Sequence, residues 1–235
     1  MKRKQPISRR IRRRLERAGL PYAANDSISA HVTREELGRL EEELTGKMQA
    51  VLDTLVIDTE RDHNTNGTAA RMAKMYLREI FRGRYEPPPA VTDFPNVKKL
   101  DELYVVGPIT VRSTCSHHLC PIEGSAWCGV IPGGGIKGGD RIIGISKFSR
   151  LADWVLSRPQ IQEEAVVQLA DEIERRVSPR GLAVVIRARH SCLTWRGVRE
   201  NGTMMTTSVM RGIFREGPAA RAEFFAMIDG DFQCR

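Results

Sequence analysis

The chain has 235 residues, 41% of them apolar and 28% charged, with a formal charge of +8 and five cysteines. That length suits one core plus tails, or two small domains. No apolar run approaches the ~20 residues of a membrane span, no apolar segment follows the basic N-terminus as in a secretory signal, and an odd cysteine number without framework spacing points to a reducing, cytoplasmic setting with free or metal-bound thiols.

Residues 1–17 carry nine Lys or Arg against Glu16 alone, so the whole +8 lies there and residues 18–235 balance formally at zero. The body is therefore not a basic nucleic-acid-binding domain. Residues 1–32 read as a solvated, disordered arm. The alternative is an electrostatic anchor for nucleic acid or an acidic surface, with no base-reading motif to support it. Residues 33–100 read as a helical region. Thr33-Arg34-Glu35-Glu36 has the form of a capping box, and Leu37, Leu40, Leu44, Met48, Val51, Leu52 and Leu55 recur at helical steps behind it. Asn64-Thr65-Asn66-Gly67 breaks the chain. A second helix starts near Thr68 with Met72, Met75, Tyr76 and Ile80 on one side, until Gly83 and Pro87-Pro88-Pro89 end it and begin a linker.

Residues 101–228 change to strand texture, and 229–235 read as a tail. Tyr104-Val105-Val106 and Ile109-Thr110-Val111 lead to Cys115, and a second β-rich run covers Ser125 to Ile131. Pro132, Gly133-Gly134-Gly135 and Gly138-Gly139 form a loop without the lysine and helix start of a phosphate-binding P-loop. Ile143-Gly144-Ile145-Ser146-Lys147-Phe148-Ser149-Arg150 puts Lys147 and Arg150 at a helix start. That place suits a phosphate, or else is a solvated basic surface. Ser157-Arg158-Pro159-Gln160 resembles a further cap, opening a helix whose buried stripe is Ile161, Ala165, Leu169, Ile173 and Val177. In its first turn Gln162-Glu163 offers an amide and a carboxylate, the latter able to accept from a guanine edge or simply to oppose the helix dipole. Leu182 to Trp195 reads as a strand with Val184, Ile186, Ala188, His190 and Cys192 on one face and Arg187 and Arg189 on the other. The order of elements predicts an α+β fold with an antiparallel sheet.

Three of the five histidines fall in Cys115-Ser116-His117-His118 and His190-Ser191-Cys192. Two thiolates and one imidazole suit zinc, and three protein ligands leave a position open for water, as in catalytic sites. Cys120 and Cys128 could compete as ligands; their neighbours Pro121 and Trp127 favour packing roles. Cys234 lies in a polar end without a role.

In order along the chain, these residues closely resemble the GTP cyclohydrolase I family. The matching text is Ser113-x-Cys115-x-His117-His118-x-x-Pro121-x-x-Gly124, Ile131-Pro132, Ile143-Gly144-Ile145-Ser146-Lys147-x-x-Arg150, Arg158-x-Gln160-x-Gln162-Glu163 and His190-x-Cys192-x-x-Arg196-Gly197-Val198. Thr68-x-x-Arg71-Met72-Ala73-Lys74-Met75 and Gly212-Ile213-Phe214 also fit. The likeness covers roughly residues 33–228. It implies a T-fold, an antiparallel sheet with two helices on one face preceded by a helical region. It also implies a homodecamer of two pentamers with active sites where subunits meet. By the same resemblance Cys115, His118 and Cys192 bind Zn2+, and His117 and His190 transfer protons. Glu163, backed by Gln162, holds the guanine edge of GTP. Ser146, Lys147, Arg150, Arg196 and Arg71 are triphosphate candidates, some from a neighbouring subunit. The implied reaction opens the guanine imidazole ring, releases formate and gives 7,8-dihydroneopterin triphosphate, for folate, other pterin or 7-deazaguanine biosynthesis. Several residues depart from the family pattern: Ser116 replaces a glutamate, Ala69 a proline, the glycine-rich loop 133–139 is longer, and Met204 and Met205 enter a Ser/Thr-rich segment. Ser116 raises two alternatives, a different purine nucleotide as substrate, or a catalytically silent nucleotide-binding or scaffold protein.

Overall fold

A computed structural model describes residues 5–133 and 141–233. The chain divides into two compact units, Met1–Pro87 and Pro88–Arg235.

The first unit is helical. Its helices are α1 (Ile7–Arg17), α2 (Arg34–Thr54), α3 (Thr68–Lys74), which continues through a π-helical turn over Met75–Ile80, and α4 (Arg82–Tyr85). The expected capping box forms: Thr33 Oγ1 accepts from Glu36 N–H, and the Glu36 carboxylate accepts from Thr33 N–H at 3.1 Å. In α2, Leu37 and Leu52 are buried as the periodicity requires, but Val51 and Leu55 near its end are exposed. The second helix buries Ala69, Ala73 and Leu77, one residue round from the expected stripe of Met72, Met75, Tyr76 and Ile80, which are only half-buried. Small side chains let this face approach its neighbour closely, so the larger ones flank it.

Residues 7–17 are not a disordered arm. Ile7, Ile11 and Leu15 repeat every four residues and share one face of a helix. They are buried with Ile28 against Leu20, Val32, Leu40 and Tyr85. The Arg14 guanidinium also binds both Glu36 carboxylate oxygens and the His31 carbonyl. The density of arginines hides this apolar stripe when the segment is judged by charge alone.

The second unit is built on a five-stranded sheet. Its strands are β1 (Asp93–Pro95), β2 (Tyr104–Cys115), β3 (Pro121–Ile131), β4 (Arg141–Ile143), β5 (Pro159–Gln160), β6 (Gly181–His190) and β7 (Met205–Gly212). The sheet order is β5-β2-β3-β6-β7, antiparallel except for the short parallel β2–β5 pair, and β1 pairs separately with β4. The stretch after Pro87-Pro88-Pro89, read from sequence as the start of a linker closing the 33–100 helical region, thus contributes β1 to this unit. Helices α5 (Ile145–Leu156) and α6 (Gln162–Val177) cover one face, packing Phe148, Leu151, Leu169 and Ile173 against Val111, Cys128, Val184 and Ile186. This is the expected α+β arrangement of two helices on one side of an antiparallel sheet. After the short helices α7 (Ser191–Thr194) and α8 (Ile213–Glu216), α9 (Pro218–Gln233) places Phe224 and Ile228 on the opposite face against Trp127, Ala183 and Val185. The segment from residue 229 read as a tail therefore continues this helix as far as Gln233. The loop glycines Gly134, Gly135, Gly138 and Gly139, and Cys234, lie outside the described residues.

Two sequence expectations fail locally, for identifiable reasons. The strand from Leu182 stops at His190 instead of running to Trp195, and Ser191–Thr194 turns into a helix. His190 pairs with Ile122, next to the start of β3 at Pro121, which has no N–H, so the ladder has no partner beyond that point. Ser157 does not cap α6, whose N-cap is Ile161 with no side-chain cap. Instead Ser157 closes α5, its N–H and hydroxyl both donating to Asp153 O. Pro159–Gln160 meanwhile joins the sheet edge beside Thr114 and Cys115.

Candidate active site

The site stands at one end of the sheet, on the face that carries α5 and α6. Cys115 ends β2, and a tight turn follows in which Leu119 N–H donates to Cys115 O and Cys115 N–H to Cys120 O, each at 2.9 Å. Ser116 N–H donates to Gln160 O at 3.2 Å, fixing this turn to the segment that opens α6. On the other side of β3, His190 ends β6 and the helical turn of α7 brings Cys192 back towards Cys115. The strand order thus brings together two distant sequence segments, 115–118 and 190–192. At Gly124 in β3 an added Cβ would lie 2.1 Å from Arg187 O, so glycine there lets β3 and β6 close up just before the site.

Donor atoms of Cys115, His118 and Cys192 all lie within 4.8 Å of one another. Cys115 is buried, Cys192 half-buried and His118 exposed. These three form a group able to hold a metal ion, and Cys120 is outside it, its thiol directed at His118 O at 3.7 Å. Burial first, then Cys115 beside it, pushes the Cys192 thiol upward. A bound cation reverses that preference, because a coordinated thiol is deprotonated outright. Cys128 is fully buried in mid-strand and burial pushes its thiol up to about 12, the behaviour of an inert packing residue.

Arg196 Nη1 lies 2.9 Å from His118 Nε2. The guanidinium can only donate, so that nitrogen accepts. His117 is exposed, its ring edge-on to His118 with centroids 6.3 Å apart. His190 is half-buried with Nε2 2.9 Å from Gln162 Oε1. An amide oxygen only accepts, so His190 carries its proton on Nε2 and leaves Nδ1 as the basic nitrogen. Burial lowers the His190 pKa, opposed by the Glu163 charge.

The sequence reading sets Gln162 behind Glu163, and its side chain meets protein partners. It is buried, and its Nε2 lies 3.0 Å from Ile186 O, 3.1 Å from Met205 O and 3.1 Å from Thr207 Oγ1. The amide is fully engaged in joining α6 to β6 and β7 and in holding His190. Sequence reasoning missed this partnership. Its only linear signal is a glutamine adjoining the buried stripe of α6, because the contact depends on the β6–β7 register Ile186↔Thr207 and Ala188↔Met205. Glu163, the next residue, is exposed.

Ser146, Lys147 and Arg150 lie in the first two turns of α5, as expected, with Ser146 and Arg150 exposed and Lys147 Nζ 3.4 Å from Ala90 O. Arg71 belongs to the N-terminal unit, exposed, with Nη2 3.0 Å from Thr68 Oγ1 and 3.3 Å from Asn64 O. A hollow of about 440 Å³ lies on the sheet's other face, lined by Arg112, Glu123, Arg187, Arg189 and Met204 among others. It contains none of the converging Cys and His residues, so the donor chemistry and not the size of the hollow locates the site.

The fold and this group define a T-fold protein carrying a Cys-His-Cys group able to hold a metal ion and flanked by histidines. The chain matches the sequence profile of GTP cyclohydrolase I over residues 44–229 and belongs to that family. It is 37% identical over 206 residues to GTP cyclohydrolase 1 of Mycolicibacterium paratuberculosis, covering 88% of this chain and 96% of the relative. To the enzyme of that name from Mycobacteroides abscessus it is 44% identical over 161 residues, covering 68% and 76%. For that of Pelotomaculum thermopropionicum the values are 39% over 183 residues, 78% and 94%.

Proposed function

We propose that this chain is a zinc-dependent GTP cyclohydrolase I, opening the imidazole ring of the guanine in GTP with release of formate to give 7,8-dihydroneopterin triphosphate. The observation that carries the reading is the convergence of Cys115, His118 and Cys192 in a chain of this family. Two sulfurs and one imidazole nitrogen suit zinc, and with Cys120 outside the group three protein donors would leave a position open. Zinc held there supplies Lewis acidity that brings the pKa of a water molecule towards neutrality.

The chain's own residues do the remaining work. His190, with Nε2–H committed to Gln162, presents Nδ1 for proton exchange with the purine ring, and His117 serves as the second proton carrier. Gln162 fixes the His190 ring and tautomer. Glu163 accepts hydrogen bonds from the N–H and amino group of the guanine edge. Ser146, Lys147, Arg150, Arg196 and Arg71 hold the triphosphate, some of them from a neighbouring subunit, helped by the N-terminus of α5. Trp195 and Val198, 79% and 77% exposed beside Arg196, support the expectation that a neighbouring subunit covers this end. The assembly is a homodecamer of two pentamers, and the free thiols fit a cytoplasmic location. No helix among the described residues is long and apolar enough to cross a membrane.

The test is turnover of GTP by zinc-replete protein, read as formate and as a pterin that fluoresces after oxidation, with metal content measured on the same sample. Turnover with about one zinc per chain is expected. Zinc-loaded protein that releases no formate from GTP overturns the reading, and a purine nucleotide panel run beside it would show any substrate shift brought by Ser116. Light scattering on the same sample gives the assembly size against the 26.4 kDa chain.

A further inference from the structure

We propose that the outer face of α1 is a binding surface for nucleic acid, holding the phosphate backbone through Arg9, Arg10, Arg13 and Arg17. The inference is independent of the catalytic reading and rests on the N-terminal unit alone.

The first observation is that this charge is mounted on a folded element. Burial of Ile7, Ile11 and Leu15 fixes the rotation of the helix. Arg14 is turned inward onto Glu36, and the Ser8 hydroxyl and N–H are held by the Glu43 carboxylate. What faces outward is therefore decided. Arg9, Arg10, Arg12, Arg13 and Arg17 are all exposed, and none makes a side-chain hydrogen bond or ion pair among the described residues.

The second observation is that like charges crowd this face, with Glu16 and, for Arg10, Glu36 as the acids beside them. Arg9 and Arg13, Arg10 and Arg13, and Arg13 and Arg17 are three or four residues apart, so their side chains are neighbours about 5–6 Å apart, and each like-charge pair costs a few tenths of a kcal/mol. The first turn of α1 contains no acid, and Arg9 and Arg10 stand near the positive end of the helix dipole. A polyanion lying along this ridge relieves all of these terms together.

The third is the chemistry of the occupant. The described outward cations are all arginines, whose planar forks bind phosphate in bidentate fashion, where lysine acts as a point charge. From Arg9 to Arg17 the helix rises about 12 Å, too far for one small anion and suited to several consecutive phosphates. A hollow of about 360 Å³ lined by Gln5, Arg10, Arg13, Arg14 and Arg17 lies along the same ridge. A membrane surface is the poorer fit, because an interfacial helix buries its apolar face in lipid and that face of α1 is buried in the protein. Residues 18–235 balance formally at zero, so the net positive charge of the chain resides at this end. With no base-reading group on the ridge, binding is insensitive to sequence and steeply dependent on salt.

Anisotropy of a labelled mixed-sequence DNA duplex, titrated with the full-length protein, tests this. Neutralising four phosphates predicts affinity falling about 10²-fold between roughly 50 and 200 mM salt. Replacing all four arginines by Gln should abolish that binding while circular dichroism and GTP turnover stay at wild-type values. Arg13→Gln alone should reduce the salt slope by about one, which keeps the test valid if the quadruple variant folds poorly. Phosphatidylserine vesicles serve as the competing polyanion. Failure of the wild-type protein to bind the duplex at low salt, undiminished binding by a folded quadruple variant, or binding to vesicles without binding to nucleic acid would each overturn the proposal.

Discussion

The two units hold themselves together by different means. The sheet unit buries Val184, Val185, Ile186, Leu169 and Phe148 at 0% exposure between layers, and adds ion pairs such as Arg211 to Asp171 and Glu174 and Arg141 to Asp93 to that core. The helical unit has a thinner apolar core and ties its elements together with charge-assisted contacts, Arg14 to Glu36, Ser8 to Glu43 and Arg78 to Glu41. Close packing resists small displacements, since interiors are as dense as organic crystals. Contacts between charged side chains tolerate them and respond to pH and salt. Residues that must meet within a few ångströms, Cys115, His118 and Cys192, belong to the rigid unit. The long arginine-bearing surface belongs to the unit that electrostatics tunes.

Substitutions that sharpen this contrast differ in size. Cys115→Ser or Cys192→Ala removes one of three donors. Because a metal supplies several kcal/mol of transition-state stabilisation and each 1.4 kcal/mol is tenfold, turnover should fall on the order of 10³-fold, with bound zinc lost and the circular dichroism spectrum kept. Retained zinc and turnover in either variant would show that the group is not the metal site. Next is Gln162→Leu, which frees the His190 ring and leaves Ile186 O and Met205 O without their partner. General acid–base contributions are typically 10²–10⁴-fold, so kcat should drop by about 10²-fold while KM for GTP changes much less. A variant that raises KM alone would place Gln162 at the base instead.

Gly124→Ala tests the packing of the sheet unit. Its Cβ would stand 2.1 Å from Arg187 O and 2.6 Å from Ala188 Cα, and overpacking of this kind costs about 1–3 kcal/mol. Urea denaturation should report that loss, together with weaker zinc retention as β3 and β6 separate. In the helical unit, Glu36→Ala removes the Arg14 partner and one side of the capping box, for about 2 kcal/mol. Here pH discriminates. The Arg14 guanidinium, with the Thr33 N–H, holds the Glu36 carboxyl at about 2, below its ordinary 4.5. The stabilisation is therefore complete above about 4.5 and fades as pH falls towards about 2. Hydrogen exchange of α1 should show a gap between wild type and variant at neutral pH that closes across that window. A gap that widens on acidification would contradict the ion pair.

Much of the sheet unit was legible because its signals are local and repeated. The alternation in Leu182–His190, the stripe Ala165, Leu169, Ile173 and Val177, and the basic start of α5 each follow from one element's own period. Elements at junctions were less legible. The cap at Ser157 looked sound as text, yet the following Pro159–Gln160 is claimed by the edge of β2. The strand past His190 kept its alternation in sequence, but the neighbouring strand begins at a proline and offers no ladder. In the helical unit Ile7, Ile11 and Leu15 carried a clear four-residue period that the surrounding arginines obscured.

The sequence by itself determined the donor types, thiols and imidazoles gathered in the two short segments 115–118 and 190–192, together with the family motifs and the location of the positive charge. Only the tertiary structure decided that these donors meet, that Cys120 lies outside the group they form, and that Gln162 meets His190. It also decided which arginines of α1 face outward. The physical reason is the same in each case. Residue chemistry and helical or strand period are local properties of the chain, whereas strand order and register are set by how the whole unit closes its core.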